Sequence, residues 1–280
     1  MAPTAGRGAE RVRGRAAEQG SKNNTRFHAW HRGGHRGGGV WEDDGVRGLL
    51  FFDLDDTLLD HAGAEARAQE ETFEGRRDVF GPVAFADWLA AYRRANGLLW
   101  AAYGRGEIGR EELHHRRFAD PLGELGRDPE AADETGAFYL ERYRGAWRLN
   151  EGAEELLAAA SKEGEVGVLS NGFRELQRAK LARFRLERWV KHVVLSEEVG
   201  AMKPARAIFD AAVRAARGEN GAGGADGRRK LYLGDHYETD AVGAKGAGWL
   251  PVLYNPSRRP FPGPVLHVAR LTDAIPLLAG

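Results

Sequence analysis

Residues 47–60 read RGLLFFDLDDTLLD, an apolar run that ends in a crowd of carboxylates. The apolar part, LLFF at 49–52, has no polar residue on either side of its alternation. A strand of that kind predicts a parallel sheet covered on both faces. The acidic part holds Asp53, Asp55, Asp56 and Asp60. Carboxylates repel one another and resist burial, so their gathering at the end of a core strand demands a compensating partner or a chemical use.

Four more segments have the same buried-strand character: EVGVLS at 165–170, KHVVLS at 191–196, KLYLGD at 230–235 and LPVLYN at 250–255. Helical patterns at 175–184, 205–217 and 240–246 fall between the last four strands. Strands alternating with helices give an α/β fold, a doubly wound parallel sheet of Rossmann-like type. The interval between the first and second strands is too long for one crossover. It carries four helical patterns, at 64–80, 85–106, 109–126 and 129–147. The expected organisation is therefore a core of residues 46–60 and 148–280 with a helical cap, 61–147, inserted after strand one. The Gly-rich stretch at 217–229 reads as a surface loop.

Residues 1–45 differ from the rest. They are basic and rich in Gly, His and Arg, and they lack hydrophobic periodicity. Such a segment cannot bury enough surface to offset its ordering entropy, so the expectation is a disordered tail or a start assigned too far upstream. It lacks the apolar core of a secretory signal, and its near absence of Ser argues against a transit peptide. Arg/Gly-rich arms do hold RNA, and this tail is where a nucleic acid would bind if one did.

The bulk composition is that of an ordinary globular chain: 280 residues, 42% apolar, with 41 basic and 41 acidic side chains. Zero formal net charge gives no global pull toward nucleic acid or membrane. No apolar run approaches the length of a membrane span. The absence of cysteine excludes disulfides, thiolate nucleophiles and zinc–cysteine sites, and fits a reducing compartment, here taken as the cytoplasm.

In doubly wound sheets, ligands bind beyond the carboxyl ends of the strands. Those ends here carry Asp53 and Asp55, then Ser170 and Asn171, then Asp235, while Lys203-Pro204 follows the third strand. Carboxylates, a hydroxyl and a lysine converging in this way suit a hard cation together with a phosphoryl group.

The same residues resemble the four motifs of the haloacid dehalogenase superfamily. Asp53-Leu54-Asp55-Asp56-Thr57 is similar to its DxDxT signature, Leu169-Ser170-Asn171-Gly172 to its second motif, Lys203-Pro204 to its third, and Gly234-Asp235 with Asp240 to its fourth. Residues 96–118 and 169–210 further resemble the superfamily's pyrimidine 5′-nucleotidase branch. The resemblance implies an enzyme that forms an aspartyl-phosphate on Asp53, with Asp55 as general acid and base. Asp55, two residues on in an extended stretch, should point the same way as Asp53 and have its pKa raised by that crowding. Dehalogenase members lack this second acid, so a phosphatase is implied.

By the same resemblance Mg²⁺ sits between Asp53, Asp235 and the backbone carbonyl of Asp55, and Asp240 either joins the metal shell or orients Lys203. Ser170, with the amides of Asn171 and Gly172, would hold phosphoryl oxygens, Thr57 would fix the loop near the phosphate, and Lys203 would balance the charge. His236 would narrow the metal's surroundings or face solvent. Trp100, Tyr103, His114, His115, Phe118 and Phe173 are the candidates for packing on a nucleobase. The implied partner is a small phosphate ester, a nucleoside 5′-monophosphate first and a sugar phosphate second, acted on by a monomer or weak oligomer. A phosphomutase and a non-catalytic RNA-binding protein are the remaining readings.

Overall fold

The computed structural model describes residues 48–217 and 227–279. The basic tail and most of the Gly-rich 217–229 loop lie outside the described residues. Strand β1 (Gly48–Phe52) is central to a six-stranded, wholly parallel sheet. With β2 (Gly164–Ser170), β3 (His192–Leu195), β4 (Lys230–Gly234), β5 (Leu250–Tyr254) and β6 (Leu266–Val268), the order is β3-β2-β1-β4-β5-β6. Chain order reverses at β1, which makes its carboxyl end the switch point where such sheets bind ligands.

The alternation within β1 explains why it is apolar throughout. Leu50 and Phe52 pack with Val166, Val168, Leu231 and Leu233 on one face, against Leu156 and Leu157. Leu49 and Phe51 join Leu169, Val194 and Tyr232 on the other, against Ile208 and Phe209. Burying each such side chain contributes about 1.5–3 kcal/mol. Phe51 lies opposite Gly167 in the β1–β2 register, and a Cβ at 167 would stand 2.3 Å from its ring. Glycine is needed there because the ring occupies the space a side chain would fill.

After β1 the chain runs through five helices before it returns to the sheet: α1 (His61–Gly75), the short α2 (Arg77–Phe80), α3 (Phe85–Gly104), α4 (Arg110–Glu124) and α5 (Ala132–Ala146). They enclose their own core of Trp88, Tyr92, Phe118 and Tyr139, with the Trp88 indole N–H donating to Gln69 Oε1 at 2.9 Å. Asp60 starts the insertion as the N-cap of α1, accepting from Gly63 N at 2.9 Å, a contact that stabilises a helix by about 1 kcal/mol. The outgoing and returning chains lie side by side. Asp60 N donates to Arg148 O at 3.1 Å, Asn150 N to Leu58 O at 2.9 Å, and the Arg148 guanidinium pairs with the Asp60 carboxylate at 3.2 Å.

The core helices are α6 (Ala153–Glu163), α7 (Arg174–Arg183), the short α8 (Ser196–Val199), α9 (Arg206–Arg217) and, after a π-helical turn at Tyr237–Val242, α10 (Gly243–Gly246). Two elements depart from the sequence expectation. Helix α6, in AEELLAAASKE, is not among the expected helices, although Leu156, Leu157 and Ala160 recur on its buried face. Strand β6 follows a Pro-rich stretch that reads as loop. It survives there because it is an edge strand of three residues, paired only with β5, where few ladder hydrogen bonds are required.

Candidate active site

Asp53 leaves β1 with its amide bonded to Leu233 O at 2.8 Å, so its side chain emerges between β1 and β4. Gly234 closes β4 because a Cβ there would sit 2.5 Å from the Asp240 carboxylate. The absent side chain lets Asp240 swing under Asp53. Lys203 arrives from the loop after β3 and bridges the two acids, 2.8 Å from Asp53 Oδ1 and 2.7 Å from Asp240 Oδ1. Its ammonium also donates to Tyr232 Oη at 2.9 Å. Burial opposes the charge on Lys203, yet Asp240 and Asp53 outweigh that cost and hold its pKa above the ordinary lysine value. Asp240 therefore orients the lysine. It also accepts from His236 N at 2.9 Å through its other oxygen. The His236 imidazole accepts from Thr239 N at 3.3 Å and so caps the π-helical turn.

Asp53, Asp235 and Asp240 bring carboxylate oxygens within 4.8 Å of one another. Burial pushes Asp53 well above the usual carboxylate range against the pull of Lys203, with Asp240 and Asp235 adding to the rise. Asp235 is raised to about 7, first by burial and then by Asp240 and Asp56. Three buried or half-buried acids facing one ammonium leave negative charge uncompensated. Their hard oxygen donors fit a divalent cation of the Mg²⁺ type. Thr57, fully buried, donates its hydroxyl to Asp235 Oδ1 at 3.1 Å, so it steadies a carboxylate of this cluster.

Asp55 differs from the sequence expectation. The chain turns immediately after Asp53, with Asp56 at φ +57°, rather than continuing extended. The Asp55 carboxylate meets Lys180 Nζ at 2.6 Å and Gln177 Nε2 at 2.8 Å. Burial would raise its pKa, but Lys180, His61 and the bond from Gln177 bring it down to about 2. The rise expected from crowding by Asp53 does not occur, because the buried Lys180 ammonium sets the charge of Asp55. Asp56 serves the turn, its carboxylate accepting from Ala62 N at 2.7 Å.

Gln177 and Lys180 were not anticipated from sequence. Both lie on α7, three residues apart and hence on one face, and Gln177 also donates to Ser170 Oγ at 2.8 Å. It packs where a Gly172 Cβ would be, 2.2 Å away. Asn171 pairs reciprocally with the lysine's backbone, Nδ2 donating to Lys203 O at 3.0 Å and Lys203 N to Asn171 Oδ1 at 2.7 Å. Asn171 thus fastens the loop after β2 to the loop after β3.

A cavity of about 580 Å³ opens above Asp53, Asp55, Ser170 and Lys203 and runs under the inserted helices. Trp100, His114, His115, Phe118 and Phe173 line it, whereas Tyr103 does not. Phe173 is the centre of an aromatic cluster, with Trp100 at 5.0 Å and His114 at 4.9 Å tilted against it and Tyr103 edge-on at 5.5 Å between ring centroids. His115 is half exposed and bonds Asp133 at 2.8 Å. Phe118 belongs to the inserted helices' own core. Arg110 lies over Phe173 at 4.9 Å and reaches Glu197 at 3.3 Å, joining the two parts of the structure.

The comparisons agree with this geometry. A family model described as haloacid dehalogenase-like hydrolase matches residues 48–248. Pyrimidine 5′-nucleotidase YjjG of Escherichia coli is 31% identical over 76% of this chain and 88% of its own. Glyceraldehyde 3-phosphate phosphatase of Methanothermobacter thermautotrophicus is 34% identical over 74% of this chain and 84% of its own. The solved structure of the putative hydrolase YfnB of Bacillus subtilis, bound to magnesium and reported to reveal interdomain movement, superposes with a TM-score of 0.66. It is 27% identical and covers 83% of this chain and 99% of its own. With its switch-point aspartates, its Lys203 bridge and these relatives, the chain belongs to the haloacid dehalogenase-like hydrolase family.

Proposed function

We propose that the protein is a Mg²⁺-dependent phosphomonoesterase that uses Asp53 as nucleophile and takes pyrimidine nucleoside 5′-monophosphates as substrates. The observation that carries the reading is the division of labour between two acids two residues apart. Asp53 sits over Lys203 and the acidic cluster, while Asp55 is held ionised by Lys180 on the cavity wall. The Lys203 ammonium lies against the Asp53 oxygen that would attack, and Asp55, ionised, is available to accept and hand on a proton.

In the proposed reaction the Asp53 carboxylate attacks phosphorus, and the ester oxygen leaves as the alcohol. A monoanionic ester brings the proton that leaves with that alcohol, and Asp55 passes it across. In the second step Asp55 takes a proton from water as the water attacks the aspartyl-phosphate, then gives it to the departing phosphate, which restores both Asp53 and the ionised Asp55. Lys203 offsets charge on the phosphoryl oxygens, and Ser170 with the amides of Asn171 and Gly172 holds them. Asp53, Asp235 and the Asp55 backbone carbonyl would hold the Mg²⁺, which supplies neutralising charge at the phosphoryl group. Gln177 and Lys180 act as positioning residues on Asp55.

The clustered rings of Trp100, His114 and Phe173 on the cavity wall favour a flat leaving group, as does the resemblance to the Escherichia coli nucleotidase. A second reading, a sugar phosphate, is favoured by the similarly distant glyceraldehyde 3-phosphate phosphatase. Phosphate release from a panel of nucleotides and sugar phosphates, with Mg²⁺ and with a chelator, separates the two. Asp53→Asn is expected to release no phosphate while keeping its native melting profile. Turnover by that variant near the parent rate would refute the mechanism.

A further inference from the structure

Seven residues between 61 and 147 carry buried polar atoms with no hydrogen-bond partner among the described residues, and three of them converge on one site: Asn96 Oδ1, His114 Nε2 and Arg117 Nε. All three side chains line the cavity over the phosphoryl end. An unpaired buried polar atom costs more than a made hydrogen bond returns. Gln69, Thr135, Arg144 and Trp147 keep theirs off the cavity, whereas these three are gathered on one wall, where a ligand edge would pair them.

Helical spacing supports the grouping. His114 and Arg117 are three residues apart on α4, and Asn96 and Trp100 are four apart on α3, so each pair shares a face. Trp100 and His114 both pack at a tilt on Phe173, the residue directly after the phosphate loop. A flat wall and a polar edge thus lie together, joined in sequence to the phosphoryl end. Arg117 lies 5.3 Å from the ring centroids of both Tyr92 and Tyr139 and bonds Tyr92 Oη. Among the described residues it has no ion pair. Burial and the neighbouring cations Arg117 and Arg110 hold the His114 pKa down near 4, so its ring is neutral at ordinary pH.

We propose that Asn96, His114 and Arg117 form the recognition edge for the leaving group, and that its ligand is a neutral planar ring offering a carbonyl oxygen and a ring N–H, the chemistry of a pyrimidine base. The proposal rests on the nucleotide reading above and names the residues that would enforce it. Arg117 Nε–H donates to a carbonyl, Asn96 Oδ1 accepts from a ring N–H, and His114 Nε2 serves either role according to its tautomer. A sugar offers no face for the rings to cover. Glu65, Glu111 and Asp133 on the same cavity wall disfavour an anionic leaving group.

The test compares uridine 5′-monophosphate with ribose 5-phosphate, which share the phosphoryl and sugar parts and differ by the base. The parent protein is expected to favour the nucleotide at least ten-fold in kcat/KM. Asn96→Leu and Arg117→Lys are each expected to cut that ratio ten-fold or more while melting cooperatively; the second keeps its charge over the rings. If the parent shows no preference, the nucleotide reading falls and takes this ligand with it. A preference in the parent that survives in the folded variants overturns the recognition edge alone. Should one variant fail to fold, the other decides.

Discussion

Replacing Lys180 with methionine removes the cation that holds Asp55 ionised and leaves that carboxylate facing only Gln177 and the cavity. The drop in the Asp55 pKa from 3.8 to about 2 corresponds, at about 1.36 kcal/mol per pH unit, to ~2.5 kcal/mol of stabilisation. Lys180 is 3% exposed, but 26% of the Asp55 side chain reaches solvent. That screening brings the expected loss down to roughly 1–2 kcal/mol. The folded pKa lies below the unfolded one, so the stabilisation is complete above about pH 4 and disappears as pH falls through 2. Urea denaturation of parent and Lys180→Met at several pH values measures it. Methionine also loses the ammonium's contacts with the Tyr143 and Trp147 rings, at 5.3 and 5.7 Å. A double-mutant cycle with Asp55→Asn isolates the ion pair, with an expected coupling of ~1 kcal/mol or more. A coupling near zero at pH 7, or one that grows as the solution is acidified, would refute the reasoning.

Lys203→Met leaves Asp53 and Asp240 buried without their cation, and a loss of about 3–5 kcal/mol is expected; urea unfolding in the presence of a chelator measures it, and parent-like stability would contradict the pairing. Mg²⁺ at a hundred times its dissociation constant should stabilise the folded state by about 2.7 kcal/mol. That increment, read as a melting shift, should shrink sharply in Asp235→Asn; an equal shift in both proteins counts against Asp235 as a ligand. Gly167→Ala drives a methyl to 2.3 Å from the Phe51 ring and is expected to destabilise by about 1–3 kcal/mol through overpacking. An unchanged midpoint in thermal unfolding would mean the ring has room to move.

The strand ends were legible because fully buried parallel strands are written as short apolar runs, and whatever polar residue follows is conspicuous. Asp53, Ser170, Lys203 and Asp235 were found that way. Gln177 and Lys180 were hidden for the opposite reason. Helix α7 reads RELQRAKLAR, and its buried positions include Gln177 and Lys180, so its polar inner face erases the amphipathic signal. The charge state of Asp55 could not be read from its neighbours in the chain, since the side chain that decides it lies 125 residues away. The adjacent histidines show the same limit. His114 is packed against Phe173, and His115 faces Asp133 at the surface. Nothing in the dipeptide distinguishes them.

Asp60 and Arg148 touch where the chain departs for α1 and returns from α5. A segment that leaves and rejoins at a single point is joined to its host as a pendant is to a chain. Removing residues between those two positions would leave ends already in hydrogen-bonding contact, so the sheet itself needs no rebuilding. The aspartates are less independent: His61 helps hold Asp55 ionised, and Tyr143 and Trp147 lie beside Lys180. A relative's helices grafted between Asp60 and Arg148 must therefore keep those side chains for Asp55 to keep its charge, and the rest of the cavity wall is what such a graft can vary.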